Sequence, residues 1–395
     1  MINRPIYINL LRQTINNGLV KILVGVRRSG KSTILELLKD LLLNQSIKKD
    51  HIIEINFEMI ENEWLKDKQQ LHTYIKKQIK DKEKYYLMFD EVQEIPIWAK
   101  VINSLNVTFN VDIYATGSNA RIFTGEHLTY LAGRYMSINV YPLAYEEYLT
   151  FKDLKNDVVD YRGFLDSSFP RIVLEQKVNI KNIMKQDMFE TIFQRDIILR
   201  GKIQNENVFL RVARFILEHI GSMISINKIK NTLVSDGLKI SYDAVENYMN
   251  LLIKSYFLYP CLRYDVKGKE ILKSNCKYYV VDFGIREKLI PNKDTNTGRI
   301  LENFVYLELI KHGYDVYVGK IGRDYEIDFV AIKDSVITYI QVSESIVDES
   351  TREREVKAFR YLKDNYKRII VTFDMVIYPS SNYQHMNVFD FIKTL

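Results

Sequence analysis

The chain has 395 residues, a formal net charge of +6, 47% hydrophobic and 27% charged residues. That length suits two to three domains, each able to bury its own core. The composition is that of a globular protein and excludes a low-complexity chain. The two cysteines, Cys261 and Cys276, exclude a disulfide framework and match no zinc spacing. No window holds the 18 or so uninterrupted apolar residues of a spanning helix, and the N-terminal Met-Ile-Asn-Arg-Pro-Ile-Tyr lacks a signal-peptide core. The expected location is the cytoplasm, with no membrane partner. The basic excess is concentrated: residues 200–277 hold thirteen Lys/Arg against seven Asp/Glu, an excess equal to that of the whole chain.

Residues 5–18 read as an amphipathic helix closed by Gly18. Ile22-Leu23-Val24 follows as a buried strand, and Gly25-(x)4-Gly30-Lys31-Ser32 then satisfies the phosphate-loop pattern. The chemistry needs these residue types. Two glycines let consecutive N–H groups turn inward on phosphate oxygens, and the next helix adds its positive end. Lys31 is expected on the β- and γ-phosphates and Ser32 on Mg²⁺, with Arg28, Ser29 and Thr33 completing the ATP cradle. Tyr85-Tyr86-Leu87-Met88-Phe89-Asp90-Glu91 is a buried strand running into two carboxylates. Asp90 is placed to hold Mg²⁺ and Glu91 to polarise the attacking water. A third strand, Val111–Ala115, runs into Thr116-Gly117-Ser118-Asn119, where Asn119 or Ser118 can sense the γ-phosphate. A fifth strand begins at Tyr135. Arg121 and Arg134 are expected to flank the active edge, and Arg134 is the preferred arginine finger toward a neighbouring subunit, which implies a homo-oligomer.

The phosphate loop, Phe-Asp-Glu-Val-Gln, Ala-Thr-Gly-Ser-Asn, Leu-Ala-Gly-Arg and Val-Tyr-Pro-Leu together resemble the AAA-type P-loop ATPases of bacteria and archaea that carry a C-terminal domain of unassigned function. The resemblance runs over nearly the whole chain. It implies an α/β ATPase core with a five-stranded parallel sheet over 1–150 and a helical lid over 151–203. In the lid, Ser167 and Ser168 stand where that family carries two glycines.

Residues 204–283 read as a winged helix-turn-helix, with Ser241 capping the third helix and Tyr242, Asp243, Glu246 and Asn247 on its exposed face. Lys267, Lys269, Lys273 and Lys277 in the wing could hold phosphates without reading sequence. Double-stranded DNA bound through 200–277 is therefore the leading partner, and a protein partner is the alternative. Residues 284–395 resemble the restriction-endonuclease fold, which uses a helix glutamate, two strand carboxylates and a lysine. Glu302 and Asp328 match the first two positions, Gln341 replaces the second strand carboxylate, and Ser343 replaces the lysine. A neutral amide is a poor ligand for a hard cation, so this site is expected to be degenerate. Glu326 is expected on the opposite face, in solvent. The whole reads as an Mg²⁺-dependent ATPase whose nucleotide state drives a conformational change, acting on DNA. A nucleotide-switched protein-interaction module is the alternative, and a metal-dependent DNA endonuclease ranks third.

Overall fold

The computed structural model describes residues 2–118, 130–155, 159–290, 297–322 and 324–395. The chain forms two compact units, one of residues 1–142 with Lys254–Tyr256, the other of 143–253 with 257–395.

The first unit is built on five strands: β1 (Val20–Val24), β2 (Ile52–Asn56), β3 (Tyr85–Asp90), β4 (Val111–Gly117) and β5 (Tyr135–Asn139). They pair in the order β2-β3-β4-β1-β5, all parallel. Every residue of β1, β3 and β4 is buried, which suits a sheet covered on both faces. On one face lie α3 (Lys68–Gln78) and α4 (Trp98–Thr108), which supply Leu71, Ile75, Ile102 and Leu105 to the core. On the other lie α1 (Pro5–Thr14) and α2 (Lys31–Asn44), which bury Leu11, Ile34, Leu38 and Leu42 against Leu23, Met88 and Tyr114. Parallel strands bring the ends of β1, β3 and β4 to one edge, with the phosphate loop, Asp90 and Thr116 along it.

The second unit begins at Leu143, earlier than the expected boundary at 150. Ser167 and Ser168 have a structural use here. Ser168 donates from its backbone N and its hydroxyl to Asp282 Oδ2, at 2.7 and 2.8 Å, and Ser167 Oγ accepts from Phe169 N at 3.1 Å. Thr191–Leu199 is π-helical, with Asp196 buried and paired to Arg200 at 3.1 Å. Three helices follow: α5 (Glu206–Glu218), α6 (Ile226–Ser235) and α7 (Tyr242–Lys254). Each starts on a cap, with Asn205, Ser225 and Ser241 accepting from Val208 N, Lys228 N and Ala244 N. Tyr242, Asp243, Glu246 and Asn247 are all exposed on α7.

The hairpin expected as a free wing, β6 (Leu258–Asp265) and β7 (Glu270–Val280), is hydrogen-bonded into the C-terminal sheet. β6 runs parallel to β8 (Asp315–Ile321), which pairs with β9 (Tyr325–Lys333) and through it with β10 (Val336–Val342). Then come β11 (Lys367–Thr372) and β12 (Gln384–Asn387), giving seven strands in the order β12-β11-β10-β9-β8-β6-β7. These shared backbone bonds are why no boundary falls between 283 and 284. Helix α8 (Thr297–Lys311) packs Leu301, Phe304 and Val305 into the core of this sheet, and α9 (Glu349–Lys357) follows β10. Cys261 and Cys276 are both buried free thiols. Among the described residues, no helix is long and apolar enough to cross a membrane.

Candidate functional site

The phosphate loop leaves β1 at Gly25 and enters α2 at Lys31. Glycine is required at 25: a Cβ there would lie 2.0 Å from the Val140 carbonyl oxygen. Gly30 caps α2 in the left-handed region at φ 101°, which turns the first amides of the helix toward the loop. Lys31 is buried, its Nζ donating to the carbonyls of Gly25 at 3.0 Å and Val26 at 3.1 Å. The Ser29 hydroxyl is buried with no hydrogen-bond partner among the described residues, an orphaned polar atom inside an anion-shaped turn. Arg28 is exposed and Thr33 half-buried on either side of it.

Asp90 ends β3, with Oδ1 accepting from Thr116 Oγ1 and Oδ2 accepting from Asn56 Nδ2 at 3.1 Å. Burial raises its pKa, while hydrogen bonds from Thr116 and Ser32 and the Lys31 charge oppose the rise. The Ser32 hydroxyl and the Asp90 carboxylate therefore stand together, a donor set of hard oxygens that fits Mg²⁺. Glu91 sits one residue further on, in the left-handed region at φ 58°, a conformation costing a side-chain-bearing residue about 1–2 kcal/mol. Its backbone N donates to Thr116 Oγ1 at 2.9 Å, so one hydroxyl holds the Asp90 carboxylate and the Glu91 backbone. Burial works against ionisation of Glu91, yet Lys31, a hydrogen bond from Gln93, and Arg27 outweigh it and hold the carboxyl below its ordinary value. Thr116, Asn56 and Gln93 were not singled out by the sequence. Strand register brings the first two in, and only the run Ala-Thr-Gly-Ser hinted at Thr116.

Arg134 does not flank the active edge: it precedes β5 beside Val20, at the opposite end of the sheet from Gly25, where its carbonyl accepts from Val20 N. Its guanidinium is exposed and donates to Asn103 Oδ1 at 3.0 Å. A parallel strand separates its two ends by its full length, so a residue before β5 cannot share an edge with one after β1. Asn119 and Arg121 lie outside the described residues.

A second cluster gathers in the other unit. Lys277, expected on the wing surface, is buried on β7. Its Nζ lies 2.9 Å from Glu302 Oε1, 2.9 Å from Glu326 Oε1 and 3.3 Å from Asp328 Oδ1. Glu326 is thus on the same face as Asp328, not the opposite one, as two residues two apart on a strand must be, although its side chain is exposed to solvent as expected. Burial pushes the Glu302 carboxyl up to about 7, although Lys277 and a hydrogen bond from Tyr279 at 2.5 Å pull the other way. Burial opposes the Lys277 charge, but the three carboxylates overcome this and raise its pKa well above the ordinary value. Gln341 Oε1 accepts from Asp328 N at 2.7 Å and its Nε2 donates to Glu355 Oε2 at 3.2 Å.

Residues 17–149 match the family model described as an AAA domain. Residues 162–296 and 297–393 match two domains of unknown function, DUF8612 and DUF4143. An uncharacterized protein of Haemophilus influenzae is 37% identical over 380 residues, covering 94% of this chain and 93% of that one. The uncharacterized protein MJ1544 of Methanocaldococcus jannaschii is 30% identical over 409 residues, covering 99% and 88%. Among solved structures, the Walker-type ATPase PABY2304 of Pyrococcus abyssi aligns at a TM-score of 0.43 and 15% identity over 73% of this chain and 96% of that one. Aeropyrum pernix ORC1 in complex with DNA aligns at 0.32 and 10% over 76% and 95%. The chain accordingly belongs to the family of the Haemophilus and Methanocaldococcus proteins, with an AAA-type P-loop domain at its N-terminal end.

Proposed function

We propose that this protein is an Mg²⁺-dependent ATPase whose nucleotide state drives a conformational change, and that it acts on DNA. The observation that carries the reading is the convergence of the Gly25–Thr33 loop, Asp90 and Glu91 at one sheet edge, with the Thr116 hydroxyl bonded to both carboxylate-bearing residues. The loop amides and Ser29 would receive the phosphates, and Lys31 would leave its two carbonyl partners for the β- and γ-oxygens. Ser32 and Asp90 would hold Mg²⁺, which supplies charge neutralisation on those oxygens. Glu91, held ionised, would accept the proton of the attacking water, while the Thr116 bond holds its backbone and Gln93 donates to its carboxylate.

DNA is supported by the basic balance of 200–277 and by Lys267 and Lys269, both exposed at the β6–β7 turn. The second reading, a nucleotide-switched protein-interaction module, is favoured by Asp243 and Glu246 on that same exposed face and by the burial of Lys277. ATP hydrolysis by the wild type and Lys31→Ala, with and without double-stranded DNA at two salt concentrations, separates these. Lys31→Ala should abolish turnover, and DNA should stimulate the wild type less at the higher salt. Turnover unchanged in Lys31→Ala would remove the ATPase reading. Turnover indifferent to DNA at both salts would remove the DNA reading and favour a protein partner.

A further inference from the structure

We propose that Lys277 is a built-in cation standing where a restriction-endonuclease-like fold would hold a divalent metal ion, so that the C-terminal carboxylate cluster is closed to metal. An ammonium has three N–H donors and no acceptor. Here it faces three carboxylates, donating to Glu302 from α8 at 2.9 Å and to Asp328 from β9 at 3.3 Å, and forming an ion pair with Glu326 from β9 at 2.9 Å. The lysine is itself nine-tenths buried, and a divalent ion brought among the same oxygens would meet a fixed positive charge at contact distance.

The rest of the pocket is arranged for the lysine as well. Glu302 Oε1 also accepts from Tyr279, while Oε2 faces Gly221, at whose position a Cβ would come within 3.3 Å. Asp328 Oδ2 accepts from Val342 N at 3.0 Å, so one oxygen of this carboxylate is committed to the backbone. The Gln341 amide completes the exclusion. Its oxygen accepts from Asp328 N and its nitrogen donates to Glu355, and a neutral amide brings no negative charge to hold a hard cation. With Lys277 in place the cluster therefore does not fit a resident metal, and the lysine missing from the expected position returns from β7 as a structural counter-ion.

Mn²⁺ titration of the full chain without nucleotide, followed by the electron paramagnetic resonance signal of free Mn²⁺, tests this. The wild type, Asp328→Asn and Glu326→Gln should bind Mn²⁺ alike, because none has a metal site at the cluster. Lys277→Met should take up one further Mn²⁺ per chain, which Lys277→Met/Asp328→Asn should lose. Should Lys277→Met fail to fold, the wild type against Asp328→Asn and Glu326→Gln still decides. Mn²⁺ held by the wild type and lost in Asp328→Asn would overturn the proposal. So would a folded Lys277→Met that gains none.

Discussion

Thr116 shows how much one hydroxyl can organise. It donates to Asp90 and accepts from the backbone N of Glu91, which that bond helps to hold at positive φ. Thr116→Val keeps the shape and removes both bonds, leaving a buried carboxylate short of a donor. A loss of about 1–3 kcal/mol in unfolding free energy is expected, with reduced ATP turnover, measured by urea denaturation and by kcat. Asn56 was illegible beforehand, and Thr116 only hinted at, because parallel register, not local spacing, sets them beside Asp90. Lys31, Asp90 and Glu91 were legible because each belongs to a short motif whose geometry is local.

The carboxyl of Glu302 gives a second test at this scale. Its folded pKa of about 7 lies above its ordinary value, so the native state binds the extra proton between roughly 4.5 and 7. Stability contributed by that proton is present at the low end and lost as pH rises through the window. Glu302→Gln should flatten this fall, seen as a smaller drop in denaturation midpoint between pH 4.5 and 7 than in the wild type. An unchanged slope would show that Glu302 does not titrate there.

At the scale of elements, α1 is tied to the phosphate loop by a residue that no motif marked. Arg4, almost fully buried before the first turn, donates to the carbonyl of Ser29 at 2.8 Å and to that of Tyr141 at 3.1–3.2 Å, with its guanidinium over the Tyr7 ring. Tyr7 in turn accepts from Tyr141 N at 2.9 Å. Arg4→Met should destabilise the protein by about 2–3 kcal/mol through lost charged hydrogen bonds and weaken ATP binding, since Ser29 loses its anchor. Equilibrium unfolding and a nucleotide titration check the two halves separately. The amphipathic pattern announced the helix and the apolar runs announced the parallel strands. The pairing of β6 with β8, which decides that the hairpin belongs to the C-terminal sheet, is a long-range choice that periodicity does not encode. Lys277 was misplaced for that reason. Glu326 was misplaced against plain strand alternation, which already put it beside Asp328.

For the molecule as a whole, the chain passes from one compact unit to the other at Pro142, and it is gripped on both sides of that proline. Arg4 holds the Tyr141 carbonyl and, with the same guanidinium, the phosphate loop. Lys311 Nζ holds the Leu143 carbonyl at 2.9 Å and pairs with Glu308 at 3.0 Å, while Glu308 also accepts from Tyr145 N. The phosphate loop is thereby bonded, through Arg4, to the segment that follows β5. All of this presupposes that the first unit hydrolyses ATP with Glu91 as base. The direct measurement is ATP binding and turnover by Glu91→Gln beside the wild type in Mg²⁺. Binding should be retained within a few-fold while turnover falls by about 10²–10⁴; equal turnover in the two proteins would contradict the account.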